Sequence, residues 1–149
     1  MKTATLTYSI TINASQQTVY DYVSDWEKQS DWIKFTTVHV LSDFAANGEV
    51  HLLAITQLGP LKLKDTMVIT ELHPPDKIIV EHTGRLILGK GIFGVRSLSA
   101  GSCEFTWHEI TPVPFGRLGM ALLPFVKPLL KIPFNMSLRK LKSSIESTI

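Results

Sequence analysis

Asp65 and Glu109 are the residues whose spacing best suits them to chemistry. Leu61, Leu63, Asp65, Met67 and Ile69 fall on one phase of a strand-like run, and Cys103, Phe105, Trp107 and Glu109 share another. Such alternation turns both carboxylates toward the side that the apolar residues bury. Burial disfavours the charged form of a carboxyl group, raises its pKa and fits it for general acid or base work. Tyr8 or His82 would then orient a substrate. The plainer alternative, which we favour for each, is a strand-end carboxylate that reaches water or pairs with Arg85 or Arg96. Asp65 and Glu109 therefore stand as candidates, and no catalytic residue is assigned.

The other reactive residue types give less. The five histidines (His39, His51, His73, His82 and His108) form no HExxH motif and no other ligand-spaced pair, so no metal site is expected. His39, His51 and His108 lie opposite their apolar neighbours and should face solvent, and His73 falls in a turn. His82 is ambiguous, because "IIVEH" is apolar on both phases. A single cysteine, Cys103, excludes an internal disulfide framework and reads as a small core residue. Gly84, Gly89, Gly91 and Gly94 carry no phosphate-loop pattern; their expected role is to let strands bend. No nucleotide-binding loop is present and no cofactor is expected.

Composition narrows the class further. The 149 residues suit one domain spanning 1–149, with 44% hydrophobic and 19% charged residues arguing against disorder. The net charge of +2 is too small to argue for nucleic acid. It is unevenly placed: from residue 117 onward, Arg117, Lys127, Lys131, Arg139, Lys140 and Lys142 face Glu146 alone. These basic residues cluster on the last helix and not along the aromatic strands, which also speaks against nucleic acid. The first twelve residues, "MKTATLTYSITI", lack the continuous apolar core of a signal peptide, so the cytoplasm is the expected compartment.

The elements that must position these residues follow from periodicity. Leu6, Tyr8, Ile10 and Ile12 alternate with Thr5, Thr7, Ser9 and Thr11, which predicts a half-buried strand. Ser15 is placed to cap a helix running to about Ser24, with Val19, Tyr22, Val23 and Trp26 on one face. "WEKQSDWIKF" predicts a second short helix. Hairpins follow: "TTVHVLSD" with "EVHLLAIT" through Asn47-Gly48, "LKLKDTMVITEL" with "KIIVEHT" through "HPPD", and "GIFGVRSL" with "CEFTWHEI" through "SAGS". Phe134, Leu138, Leu141 and Ile145 then share one face of a closing helix. The segment "GMALLPFVKPLLKIPF" before it is apolar on nearly every side, yet Lys127 and Lys131 sit near its middle and Pro124, Pro128 and Pro133 interrupt it. It fails as a membrane span. Two readings stay open: a helix kinked at its prolines, or irregular turns before a shorter helix.

Strand, two helices, about six strands and a long helix make an α+β order with an antiparallel sheet. On "ITINASQQTVYDYVSDWEKQSDW", "ITELHPPDKIIV", "GSCEFTWHEI" and "LRKLKSSIE", the chain resembles the START-like helix-grip (SRPBCC) superfamily, in its polyketide cyclase/dehydrase and lipid-transport group. The resemblance implies a curved antiparallel sheet of about seven strands gripping a long C-terminal helix, with two short helices after the first strand. It also implies an apolar cavity that binds a lipid, quinone or polyketide, and possible transport of that ligand. The alternative it carries is a cyclase or dehydratase-type enzyme using cavity carboxylates; we lean against an enzyme. The inward phases nominate as ligand-binding Tyr8, Ile10, Val40, Leu52, Ala54, Met67, Ile69, Phe105 and Trp107, and from the last segment Leu122, Phe125, Leu129 and Phe134. A hydrophobic small molecule is thus the expected partner. Transient contact of the basic C-terminal helix with an anionic membrane is a second expectation, behind the plainer reading of a solvated helix face. The sequence leaves the oligomeric state open.

Overall fold

A computed structural model describes residues 2–41 and 49–149. The chain runs β1 (Thr3–Ile12), α1 (Gln16–Val23), α2 (Gln29–Trp32), β2 (Thr36–Val40), β3 (Val50–Leu58), β4 (Leu61–His73), β5 (Lys77–Thr83), β6 (Leu88–Ser99), β7 (Ser102–Pro112) and α3 (Gly116–Glu146). The expected Asn47-Gly48 turn lies outside the described residues. All seven strands join one antiparallel sheet in the order β1-β7-β6-β5-β4-β3-β2. Each strand after β2 pairs with its predecessor, and β1 closes the order by pairing with β7. The sheet curves around α3, which is the helix-grip arrangement.

Local chemistry sets the element ends. The Ser15 hydroxyl accepts from the Thr18 N–H at 3.1 Å, capping α1. β3 turns into β4 through Gly59-Pro60, where Gly59 takes a φ of +58° that costs glycine little. β4 carries a register shift between Ile69 and Glu71 where it meets β5, and such a shift bends a strand. The second short helix is only four residues long, and Trp32 on it is fully buried.

The core lies between the concave face of the sheet and the helices. Val19 and Val23 of α1, Trp32 of α2, and Leu138, Leu141 and Ile145 of α3 meet Ile12, Leu52, Ile78, Val95, Cys103 and Phe105 from the strands. Tyr20 is the buried tyrosine of α1, whereas Tyr22 packs at the margin. Cys103 is fully buried, and burial pushes its thiol pKa up, so it stays protonated.

The last segment is one 31-residue helix with Pro124, Pro128 and Pro133 inside it, which decides between the two readings of that stretch. Its second half supplies the core face. Its first half rides above the sheet, leaving Leu118, Leu122, Phe125, Leu129 and Ile132 exposed. Among the described residues no helix is long and apolar enough to cross a membrane.

Candidate functional site

A cavity of about 420 Å³ opens between the sheet and the helices, within the range typical of small-molecule sites. Strands β3 to β6 supply apolar walls through Leu52, Ala54, Met67, Val80 and Phe93, among others. Leu130, Pro133, Phe134 and Ser137 of α3 form the roof, and Phe35 and Leu58 stand at the half-exposed rim. Phe134 is fixed from below. Its ring stacks on Tyr8 at 4.4 Å and meets Trp107 edge-on at 4.7 Å. Trp107 in turn packs edge-on against Trp32 and Phe93. Such aromatic contacts add to the stabilisation from burial.

At one end of this apolar space lies a polar cluster. His82 donates or shares a proton with Asp65 Oδ2 through Nδ1 at 2.8 Å and with Glu109 Oε2 through Nε2 at 3.0 Å. The Trp107 indole N–H donates to Glu109 Oε1 at 2.7 Å. The side chains of His82, Asp65 and Glu109 are 5%, 10% and 16% exposed, so Glu109 is the most accessible of the three. Burial alone would lower the His82 pKa. The hydrogen bonds and charges of Asp65 and Glu109 outweigh burial and lift it to about 10. His82 is therefore an imidazolium at neutral pH.

Strand order explains how three distant residues meet. Asp65 is on β4 and His82 on the adjacent β5, but Glu109 is on β7, two strands away across β6. The β6 residue between them is Gly91, paired with Val80 on one side and Glu109 on the other. A Cβ at Gly91 would stand 3.0 Å from Val80 Cγ2 and 3.1 Å from Glu109 Oε1. Glycine there leaves the gap through which imidazole and carboxylate touch. Gly89, two residues earlier, has a φ of +101°, a backbone shape that a side chain would strain.

The structure brings together Asp65, Glu109 and His82, and places Leu52, Ala54, Met67, Trp107 and Phe134 on the cavity wall. It does not bring in the remaining candidates. Ile69 and Phe105 are buried in the core away from the cavity, Ile10 packs at the core margin, and Tyr8 lies behind Phe134. Val40 is exposed on the short edge strand. Leu122, Phe125 and Leu129 are 48%, 74% and 66% exposed, because α3 turns Leu130, Pro133 and Phe134 inward instead. Neither arginine reaches the two carboxylates: Arg96 pairs with Glu104 at 3.2 Å, and His82 takes the place proposed for Arg85 or Arg96. His39 is exposed, and His108 and His51 are half-buried with exposed partners, His108 bonding the Thr7 hydroxyl through Nδ1 at 2.9 Å and His51 pairing with Glu49. His73 ends β4 and pairs with Glu71.

Sequence reasoning missed Phe93, which alternation with Val95 would have found, and Val80, whose strand is apolar on both phases. It also missed Gln29 on the four-residue α2 and Lys34 and Phe35 in the α2–β2 connection, segments too short for a periodic signal. Among the described residues no group of three or more His, Cys, Asp or Glu is placed to hold a metal ion.

A family model described as polyketide cyclase/dehydrase and lipid transport matches residues 3–146. The chain belongs to that family. Solved structures carry the same fold at low identity. The Zhui aromatase/cyclase from Streptomyces sp. R1128 superposes with a TM-score of 0.79 at 11% identity, covering 97% of this chain and 94% of that one. A START superfamily protein from Mycobacterium smegmatis gives 0.77 at 14% identity, covering 97% and 99%. A protein from Thermus thermophilus gives 0.79 at 12%, covering 97% and 99%. No curated protein matches the chain. At such identities the polyketide cyclase/dehydrase and lipid transport family fixes the fold, and the chemistry must come from this chain's own residues.

Proposed function

We propose that the protein binds an apolar molecule of lipid, quinone or polyketide size inside this cavity and carries it without transforming it. The carrying observation is the cavity itself: about 420 Å³ of space, walled mainly by aliphatic and aromatic side chains. Binding would draw on burial of apolar ligand surface, at roughly 25 cal/mol per Å² before ordering costs.

The converging carboxylates support a second reading, an enzyme that moves protons on a bound polyketide-like substrate. The hydrogen bonds weigh against it. Both imidazole nitrogens are engaged by carboxylates, so His82 has no free lone pair with which to take a proton. Glu109 already accepts a hydrogen bond at each oxygen. The cluster suits holding a polar end of a ligand better than proton transfer.

Access would run beneath α3. The exposed stripe Leu118, Leu122, Phe125, Leu129 and Ile132 follows alternating four- and three-residue steps, with exposed Arg117, Lys127 and Lys131 on the same half-helix and no acidic residue between Gly116 and Ile145. An anionic bilayer complements that charge, and the stripe would enter it during ligand exchange.

Titration with a neutral fluorescent apolar probe tests the cavity reading. Wild type should bind it, and Ala54→Trp, which plugs the wall, should lose it at unchanged secondary structure. Equal binding by both proteins would refute the reading.

A further inference from the structure

Resting on the reading that the cavity holds an apolar ligand, we propose that the ligand's polar end is a hydrogen-bond donor, foremost a protonated amine seated on Glu109, and that the cavity turns carboxylates away. Two features of the cluster argue for it independently.

The first is donor accounting. The N–H groups at the polar end are His82 Nδ1, His82 Nε2 and Trp107 Nε1, and each is already aimed at a carboxylate oxygen. Several other polar groups on the wall are committed elsewhere, while Trp26 and Lys34 belong to the helical side of the cavity and not to the strands that carry the cluster. Ser137 Oγ donates to the Pro133 carbonyl, Gln29 Nε2 to the Val23 carbonyl, and Thr36 Oγ1 to the Lys34 carbonyl while bonded to Thr56. What remains at the polar end is acceptor capacity. Each carboxylate oxygen offers two lone-pair sites, and Glu109 uses one on each oxygen. Asp65 Oδ1, buried, has no hydrogen-bond partner. A ligand carbonyl or carboxylate finds nothing here to donate to it, whereas an amine or hydroxyl finds Glu109.

The second is charge. Each of the two imidazole–carboxylate contacts holds one proton. Two carboxylates and an imidazole sharing two protons carry a net charge of −1, wherever along the contacts those protons sit. An apolar cavity raises the worth of compensating that charge, because the local dielectric is low. Outside the cluster, the cation among the described residues of the cavity wall is Lys34, which adjoins the half-exposed Phe35 at the rim. It lies on the α2–β2 connection, outside the cluster. A hydroxyl satisfies the acceptor; an ammonium satisfies both the acceptor and the charge. Glu109 is the contact because it is more exposed than Asp65 or His82.

Isothermal titration of dodecylamine, dodecanol and dodecanoate, all below their micelle concentrations near neutral pH, separates head group from tail. The amine should bind about ten- to a hundred-fold tighter than the alcohol, the range of a charge-assisted hydrogen bond, and the acid weakest. High salt should leave that order intact, since screening acts mainly on exposed charges. In Glu109→Gln the amine's advantage over dodecanol should shrink to within about three-fold. Lys34→Met should leave the amine's preference untouched. Dodecanoate binding as tightly as the amine in wild type would overturn the proposal, and so would an amine preference that survives Glu109→Gln. Dodecanol binding with no gain for the amine would overturn the head-group assignment alone. Failure of all three ligands would overturn the cavity reading and this proposal with it. The wild-type series decides the matter even where the variant does not fold.

Discussion

Raising the pH should destabilise this protein through His82. The residue's folded pKa is about 10 against an ordinary 6.5, so the folded state holds a proton that the unfolded chain releases. The stabilisation is complete below about pH 6.5 and is lost as pH rises toward 10. One unit of pKa difference is about 1.4 kcal/mol. Integrated from pH 7 to pH 9, a single proton on these two pKa values costs roughly 2–3 kcal/mol of stability, a large share of a typical domain's total. Chemical denaturation at pH 7, 8 and 9 measures it, read as a falling midpoint at constant slope. Cys103 shifts in the same direction, so the series is run in a Cys103→Ala background. His82→Gln should be less stable at pH 7, with two buried carboxylates facing each other, and nearly flat from pH 7 to 9. A wild-type midpoint that does not fall over this window, or a fall equally steep in His82→Gln, would refute the reasoning.

Two further predictions follow from neighbouring features. Gly91→Ala places a Cβ against Val80 and the Glu109 carboxylate; it should cost about 1–3 kcal/mol by overpacking and flatten the pH dependence as Glu109 is pushed from His82, both read from the same denaturation series. Vesicles containing anionic lipid should co-sediment the protein at low salt and release it at high salt, and Lys127→Glu/Lys131→Glu should abolish this, each basic residue near the surface being worth about 1 kcal/mol; unchanged binding by the double variant would remove the membrane role and leave the cavity reading standing.

Much of the fold was legible because local periodicity carries it. The alternation in β1, the Ser15 cap, and the spacing of Leu138, Leu141 and Ile145 each reappear as buried faces or a capped helix end. The phases of β4 and β7 turned Asp65 and Glu109 inward for the same reason. His82 was not legible, since "KIIVEHT" is apolar on both phases and only pairing with β4 and β6 selects one. The role of Gly91 is a fact about three strands and has no signature within its own. The roof was misread at Leu122, Phe125 and Leu129 because a segment apolar all round has no preferred face. Its orientation is set from outside, by Tyr8 and Trp107 holding Phe134 and by the Lys34 N–H donating to Ser137 Oγ at 2.9 Å.

The central claim is that an apolar molecule occupies the space between Leu52, Phe93 and Phe134 with its polar end at Glu109. A crystal structure of the protein equilibrated with dodecylamine tests it most directly. The expected result is continuous density along those residues, ending in a nitrogen within about 3 Å of a Glu109 oxygen. Ordered water alone in the cavity, or an alkyl chain lying with its nitrogen at the Phe35 rim, would contradict it.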